Sequence, residues 1–421
     1  MAIFPPSKVA IFRLTDTDES KINPGALARI SRNSLNRTVD YVKRLSVKSR
    51  SNAGSFSRSG SNLISEATAR RTSSFVSQTL NRTSFGVTNP ISLDFCNDLK
   101  IEYLQVKADF YKKENYIVQI DQYLIDDFEQ DPVYHRNIHL LSSSTDGMQS
   151  LIPIAEELER HYKFDMPECC VTFHAEFMGR ESRRFENTFA KISNFLVYFD
   201  GYENESFNNL RITSRYRSRL LQVSPCLRLD GLSRGWEVPC NTTHVKDDHS
   251  YVLDLGRHVY CYQRVLRPKI LMYTKLLANV LGLLRDTMLP EKIVDDDFWK
   301  ILESGDKSEN SGGEMVIRKN IHPEKKSLWY VKNYENPTLI NVAEDKIKEI
   351  MMTFDGSGSD FFIVDVAGTE LFVSVEAPIP FSCIYQILVN LYFKHHGNTS
   401  ASIISRQSNQ VDSTFDDVFD N

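Results

Sequence analysis

Four histidines, His135, His139, His161 and His174, are the residues best suited to bind a metal or act as a general base. Either chemistry needs partner groups at a recurring short spacing. The neighbours of these histidines supply no repeated ligand spacing, so no catalytic centre is expected. Asp126-Asp127 and Asp295-Asp296-Asp297 concentrate carboxylates in segments that read as loops, where solvation accounts for them. No glycine-rich phosphate loop closes on a lysine, and Gly356-Ser-Gly358 lacks the Lys that would follow. The cysteines number seven, and Cys169-Cys170 has no Cys-x-x-Cys mate. That pattern fits free thiols in a reducing cytosol better than a disulfide frame or a zinc site. The expectation is a binding protein rather than an enzyme. One basic stretch, Arg211, Arg215, Arg217 and Arg219, could meet an acidic protein surface or phosphoinositide head groups. A plain solvated face explains the same residues.

The elements that must position such residues recur along the chain. Tyr251-Val-Leu-Asp-Leu-Gly-Arg-His-Val-Tyr-Cys-Tyr262 reads as apolar strand, Asp-bearing turn and apolar strand, and Phe361-Phe-Ile-Val-Asp-Val-Ala-Gly-Thr-Glu-Leu-Phe-Val373 repeats it. Each is followed by a long apolar-striped segment. A repeat of about 110 residues suits a small domain and is too long for a solenoid unit. The chain reads as tandem α/β (α+β) modules at 91–205, 206–304 and 328–396, with a polar linker at 305–327. In the first module, Leu151, Ile154, Ala155, Leu158 and Tyr162 recur at helical spacing. Pro268 suits the first turn of a second long helix over 269–285. A polar tail over 397–421 ends acidic.

The first 90 residues differ in kind. They hold 14 Lys and Arg against 5 Asp and Glu, a net of +9, while the whole chain stands at -5, so the remainder carries -14. This Ser-, Arg- and Asn-rich arm offers little apolar area against its ordering entropy and reads as mostly disordered. Its charge would attract an anionic partner, a filament or lipid head groups. Lys43-Arg44-Leu45-Ser46 and Arg70-Arg71-Thr72-Ser73-Ser74 place basic residues before hydroxyls, so phosphorylation would weaken that attraction. Nucleic acid is not an expected partner, because no aromatic platform accompanies the basic arm. No run approaches the length of a membrane-spanning helix, and the start of the chain lacks a secretory pattern. A cytoplasmic, cytoskeletal location is expected.

Four kinds of segment carry a resemblance. They are Phe173-His-Ala-Glu-Phe-Met-Gly-Arg-Glu-Ser-Arg-Arg-Phe185, Arg219-Leu-Leu-Gln-Val223, the central strand pair at 251–262 with its echo at Asp360-Phe-Phe-Ile-Val-Asp365, and Asp297-Phe-Trp-Lys-Ile-Leu302. In order and spacing they resemble the gelsolin, villin and severin family of actin filament severing and capping proteins, over residues 91–396. The resemblance implies three repeats, each a five-stranded mixed sheet between a long and a short helix. It implies actin contact through the first long helix, with Ile152, Ala155 and Glu159 on its outward face, although Ile152 also suits the core. It implies a side-binding region at Arg228, Arg234 and Trp236.

Family repeats hold calcium between a strand carboxylate and a Glu on the long helix, and calcium needs six to eight oxygens. Here those positions fall on Asn115 and Gly147, on His249 and Lys269, and on Asp360 and Ser382. Only Asp360 keeps its carboxylate, so calcium dependence is expected to be weak or absent. A register shifted by one residue would instead offer Asp146, Asp247 or Asp248.

Overall fold

A computed structural model of the protein describes residues 8–14, 99, 101–104, 108–125, 132–165, 170–193, 195–201, 217–225, 232–263, 268–284, 288–304, 326–342, 360–366, 370–375, 379–396 and 401–407. All but Leu99 belong to one compact unit. Three stretches of the chain build it. The first contributes β1 (Lys8–Leu14), β2 (Ile101–Leu104), β3 (Asp109–Tyr111), β4 (Tyr116–Ile125), β5 (Pro132–Ser142), α1 (Thr145–Asp165), β6 (Cys170–Phe177), α2 (Arg183–Ile192) and β7 (Phe195–Phe199). The second contributes β8 (Arg219–Pro225), β9 (Ser233–Val238), β10 (Ser250–Asp254), β11 (Val259–Gln263), α3 (Pro268–Leu284), β12 (Glu291–Lys292) and α4 (Asp296–Ser304). The third contributes β13 (Lys326–Lys332), β14 (Thr338–Val342), β15 (Phe361–Val366), β16 (Glu370–Val375), α5 (Phe381–Ile387) and β17 (Ser402–Gln407). Helix α5 passes into a π-helical segment, Leu388–Phe393, and a last turn, Lys394–His396.

Five strands from each stretch pair in one pattern, giving the orders β2-β1-β4-β5-β6, β9-β8-β10-β11-β12 and β14-β13-β15-β16-β17. The first strand lies between the second and third and is antiparallel to both. The third is antiparallel to the fourth, and the fourth is parallel to the fifth. Parallel neighbours need a crossover, and in all three stretches the long helix supplies it. Strands such as Phe361–Val366 are buried over nearly their whole length, which explains their continuous apolar runs.

The three sets join into two sheets. β17 lies antiparallel against β6, with Ile403 opposite Ala175 and Ile404 opposite His174, and this fuses the first and third sets into ten strands. β7 runs parallel to β9, and β3 parallel to β7, which extends the second set to seven. One hydrophobic core joins the first and second stretches. It includes Phe110, Tyr116, Phe185, Phe189 and Tyr198 from one and Leu220, Trp236, Tyr251 and Phe298 from the other.

Local chemistry accounts for the helix bounds. Ser144 Oγ accepts the Gly147 N–H at 3.1 Å near the start of α1, and Ser182 Oγ accepts the Phe185 N–H at 3.3 Å at the start of α2. α3 begins at Pro268, where a missing N–H leaves no bond unmade. Pro153 lies inside α1, and the helix runs through it with the ring on the exposed side. The lost hydrogen bond there leaves the Gln149 carbonyl without its usual helical partner.

Several boundaries differ from the sequence expectation. Lys8–Leu14 falls in the arm expected to be disordered, yet it is a strand between β4 and β2, with Ile11 and Phe12 buried. The continuous apolar run Val9 to Phe12, buried at Ile11 and Phe12 on opposite faces, lets it close a sheet whose other strands begin about a hundred residues later. The rest of the arm, including the expected phosphorylation segments, lies outside the described residues. β7 was expected to close the first module but joins the second sheet. β17 lies in the expected polar tail, beyond 396, where Ile403 and Ile404 put one buried apolar residue on each face of the strand. The linker at 305–327 lies outside the described residues except for the start of β13 at Lys326.

Candidate functional site

The segment Phe173–Phe185 forms the corner from β6 into α2, and its buried polar residues, His174, Glu176, Glu181 and Ser182, are engaged. Glu176 accepts hydrogen bonds from the Ser182 N–H at 2.7 Å and the Ser182 hydroxyl at 2.6 Å, and faces His139 Nδ1 at 2.9 Å. Gly179 has φ +81°, a left-handed turn that brings Trp236 close; a Cβ there would stand 3.2 Å from the indole ring. Glu181 accepts from the Gly179 N–H, from the Tyr198 hydroxyl and from Arg234 Nη2 at 2.9 Å. Arg234 also pairs with Glu186 on α2. Burial, reinforced by Glu181, pushes the Tyr198 hydroxyl well above its ordinary pKa, so it remains a donor. The segment is therefore a clamp between the first and second stretches.

The expected side-binding region is drawn into that clamp. Trp236 is only 8% exposed, packs on Tyr198 with centroids 5.3 Å apart, and carries Lys112 Nζ 4.2 Å above its ring. Arg234 is buried as well. Neither forms an open surface, which corrects the sequence expectation. Their partners, Glu181 and Glu186, are about fifty residues away in sequence, and spacing alone could not reveal them. Arg228 lies outside the described residues.

The basic stretch divides in the same way. Arg219 is buried, donates to Glu237 Oε2 at 2.8 Å and lies over the Phe199 ring. Arg217 is exposed and pairs with the other oxygen of Glu237. Arg211 and Arg215 lie outside the described residues. Lys112 pairs with Asp200 at 2.8 Å; burial lowers its pKa, and Asp200 opposes that shift. Arg219 is thus a structural cation, and only Arg217 keeps the exposure expected of a ligand contact.

On α1, Ile152 is 6% exposed and Ala155 1%. They do not form an outward face, and this too corrects the expectation. Two helices explain the difference: α1 packs against α5 as well as its own sheet. Glu159 is half-buried, and its carboxylate accepts the Phe381 N–H at 3.4 Å at the start of α5. Phe381 stacks on Phe173 of β6 at 6.0 Å.

The expected ion positions are occupied by hydrogen bonds within the chain. Asn115 and Gly147 do meet: a Cβ on Gly147 would lie 2.3 Å from Asn115 Oδ1 and 2.3 Å from Ser142 Oγ. The Ser142 hydroxyl donates to Asn115 Oδ1 at 2.8 Å, so that oxygen is already used. His249 pairs with Asp248, and the side chain of Lys269 lies outside the described residues. Asp360 accepts from the Tyr330 hydroxyl and from the Asn333 N–H at 2.8 Å, and Ser382 is buried. Asp360 is a turn-capping residue, not a free ligand. Among the described residues no group of three or more His, Cys, Asp or Glu could hold a metal ion. Buried acids are mostly ion-paired, as in Asp121 with Arg136 at 2.9 Å and Glu114 with Arg13 at 3.1 Å. No helix among the described residues is long and apolar enough to cross a membrane.

Sequence reasoning named His139 and His174 but not their pairing. His139 and His174 lie side by side on β5 and β6, ring centroids 4.6 Å apart, both fully buried. The signal available was the period-two run Thr172, His174, Glu176 on one strand beside Asn137 and His139 on its neighbour.

No family model matches the chain, and no curated protein matches it. Among solved structures, the crystal structure of the Thorarchaeota 2DGel3/rabbit actin complex aligns with 48% of this chain and 93% of the matched chain, at 14% identity and a TM-score of 0.18. A superposition that loose carries no weight for either fold or function.

Proposed function

We propose that the protein is a divergent chain of three gelsolin-like modules that binds actin, and that it acts by binding rather than by catalysis. One observation carries the reading. The same five-strand order, with the long helix at the same crossover, occurs three times in a chain whose 173–185 and 251–262 segments resemble family motifs. Calcium dependence is weak or absent in this reading, because Asn115, His249 and the hydrogen-bonded Asp360 offer no open set of charged oxygens. Phosphoinositides are the second partner proposed, through exposed Arg217 and the basic arm. The location proposed is cytoplasmic and cytoskeletal.

The burial of Ile152 and Ala155 favours a second reading, a scaffold that keeps the modules without severing filaments. Co-sedimentation of the full chain with actin filaments, in chelator and in calcium, separates the two. Pelleting with filaments in both conditions supports the first reading. A chain that stays in the supernatant in both leaves the scaffold.

A further inference from the structure

The junction between β6 and β17 contains a histidine placed where a proton would break it. Backbone pairing there is short, with Ile403 opposite Ala175 and Ile404 opposite His174. Beyond it, the Ser405 N–H donates to a side chain, His174 Nδ1, at 3.3 Å. The Ser405 hydroxyl donates to the Phe173 carbonyl. The other ring nitrogen, His174 Nε2, faces Asn137 Oδ1 at 3.2 Å, an acceptor. An acceptor on one side and a donor on the other fix a neutral ring with its proton on Nε2.

We propose that His174 makes the junction between the first and third modules proton-sensitive: protonation at Nδ1 removes the acceptor of the Ser405 amide and releases β17 from β6. The imidazolium would then set one N–H against another inside a buried junction, and leaving that donor unpaired is costly.

The groups around the ring decide how it responds. From β5 comes His139, from β6 Glu176, from α2 Arg184, from β17 the uncharged Ser405. Glu370 of β16 is near the same corner, where it accepts the Arg183 N–H at 2.9 Å. Burial, then the charges of His139 and Arg184, hold the His174 pKa well below its ordinary value. A released His174 titrates near the ordinary value of about 6.5. Above that pH neither form is charged, and the junction keeps its full stability. As pH falls below it, only the open form takes the proton, so closure weakens by at most about tenfold per pH unit for one linked proton.

His139 lies beside it. Its Nδ1 faces Glu176, and its Nε2 has no partner among the described residues. Burial lowers the His139 pKa as well, so a proton on it does not hold the junction closed. The two rings stand 4.6 Å apart, and only His174 touches the Ser405 amide, so variants of each separate their parts. The device rests on the junction alone, whatever partner the protein binds.

Hydrogen exchange of the full chain, read by mass spectrometry from about pH 7.5 to about pH 5.5 to bracket the ordinary histidine range, tests this. Rates are corrected for the intrinsic pH dependence of exchange. The expected result is loss of protection in β17 on acidification while β9, at the other junction, keeps its protection. In His174→Asn, whose side-chain oxygen can still accept the Ser405 N–H, β17 protection becomes flat with pH. In His139→Asn, which keeps a donor toward Glu176, the loss persists. Constant β17 protection in the unmodified protein overturns the proposal, as does an unchanged loss in His174→Asn. Should that variant not fold, a His139→Asn profile that is flat with pH overturns it equally, because His139 would then be the titrating group.

Discussion

The first module touches its two neighbours by different chemistry. Toward the second it buries charge: Arg234 pairs with Glu181 and Glu186, and the Glu237 carboxylate accepts the Asp200 N–H at 2.8 Å, beside the aromatic rings of one shared core. Toward the third it offers a short strand pairing, a phenyl stack and single hydrogen bonds, some neutral, as the Ser402 hydroxyl to the Arg180 carbonyl at 2.7 Å, and two from backbone N–H groups to Glu159 and Glu370. Buried charges are costly to separate singly, since the survivor is left unpaired in a low-dielectric interior. Neutral hydrogen bonds have a small net worth because water replaces them. The first two modules should therefore behave as one cooperative body, while the third is the separable part.

Arg234→Met gives the largest expected effect. It removes the cation buried beside Glu181 and Glu186 and should cost about 3–5 kcal/mol in a denaturant titration. The loss should appear in the main transition, shared by both modules. Phe381→Ala removes the stack on Phe173 and should cost about 2–4 kcal/mol, read mainly as faster exchange in β17 and α1. If both variants lower one common transition and leave local exchange unchanged, the two junctions do not differ in kind. Pro153→Ala restores the helical hydrogen bond to Gln149 and should raise stability by about 1–2 kcal/mol, most visibly in α1. Glu370→Gln is expected to be the mildest change, about 0.5–1 kcal/mol, because it weakens one charged contact at the start of α2. A larger loss from Glu370→Gln than from Arg234→Met would reverse the ranking of the junctions.

The sequence revealed elements better than junctions. α1 and α3 were legible because their apolar stripes have helical spacing and Pro268 marks a start. The pair β10–β11 was legible because Tyr251–Asp254 and Val259–Tyr262 are apolar runs joined by a short turn. β1 was not legible, since seven residues inside a polar segment give no local sign that their partners lie beyond residue 100. β17 was hidden in the same way by the polar residues around Ile403 and Ile404. The resemblance implied a surface role for Arg234 and Trp236; only the fold brings Glu181 and Glu186 to the one and Tyr198 to the other. Ile152 sits on the flank of the α1 stripe, where burial depends on packing beyond its own sheet. The meeting of Asn115 with Gly147 is a long-range neighbour relation that the family resemblance implied and no local pattern showed.

The central claim is that the chain binds actin without calcium control. Titrating fluorescently labelled actin with the full chain, once in chelator and once in millimolar calcium, tests it most directly. The account predicts saturable binding with overlapping curves in the two conditions. Binding that appears only when calcium is added, or no binding in either, would contradict it.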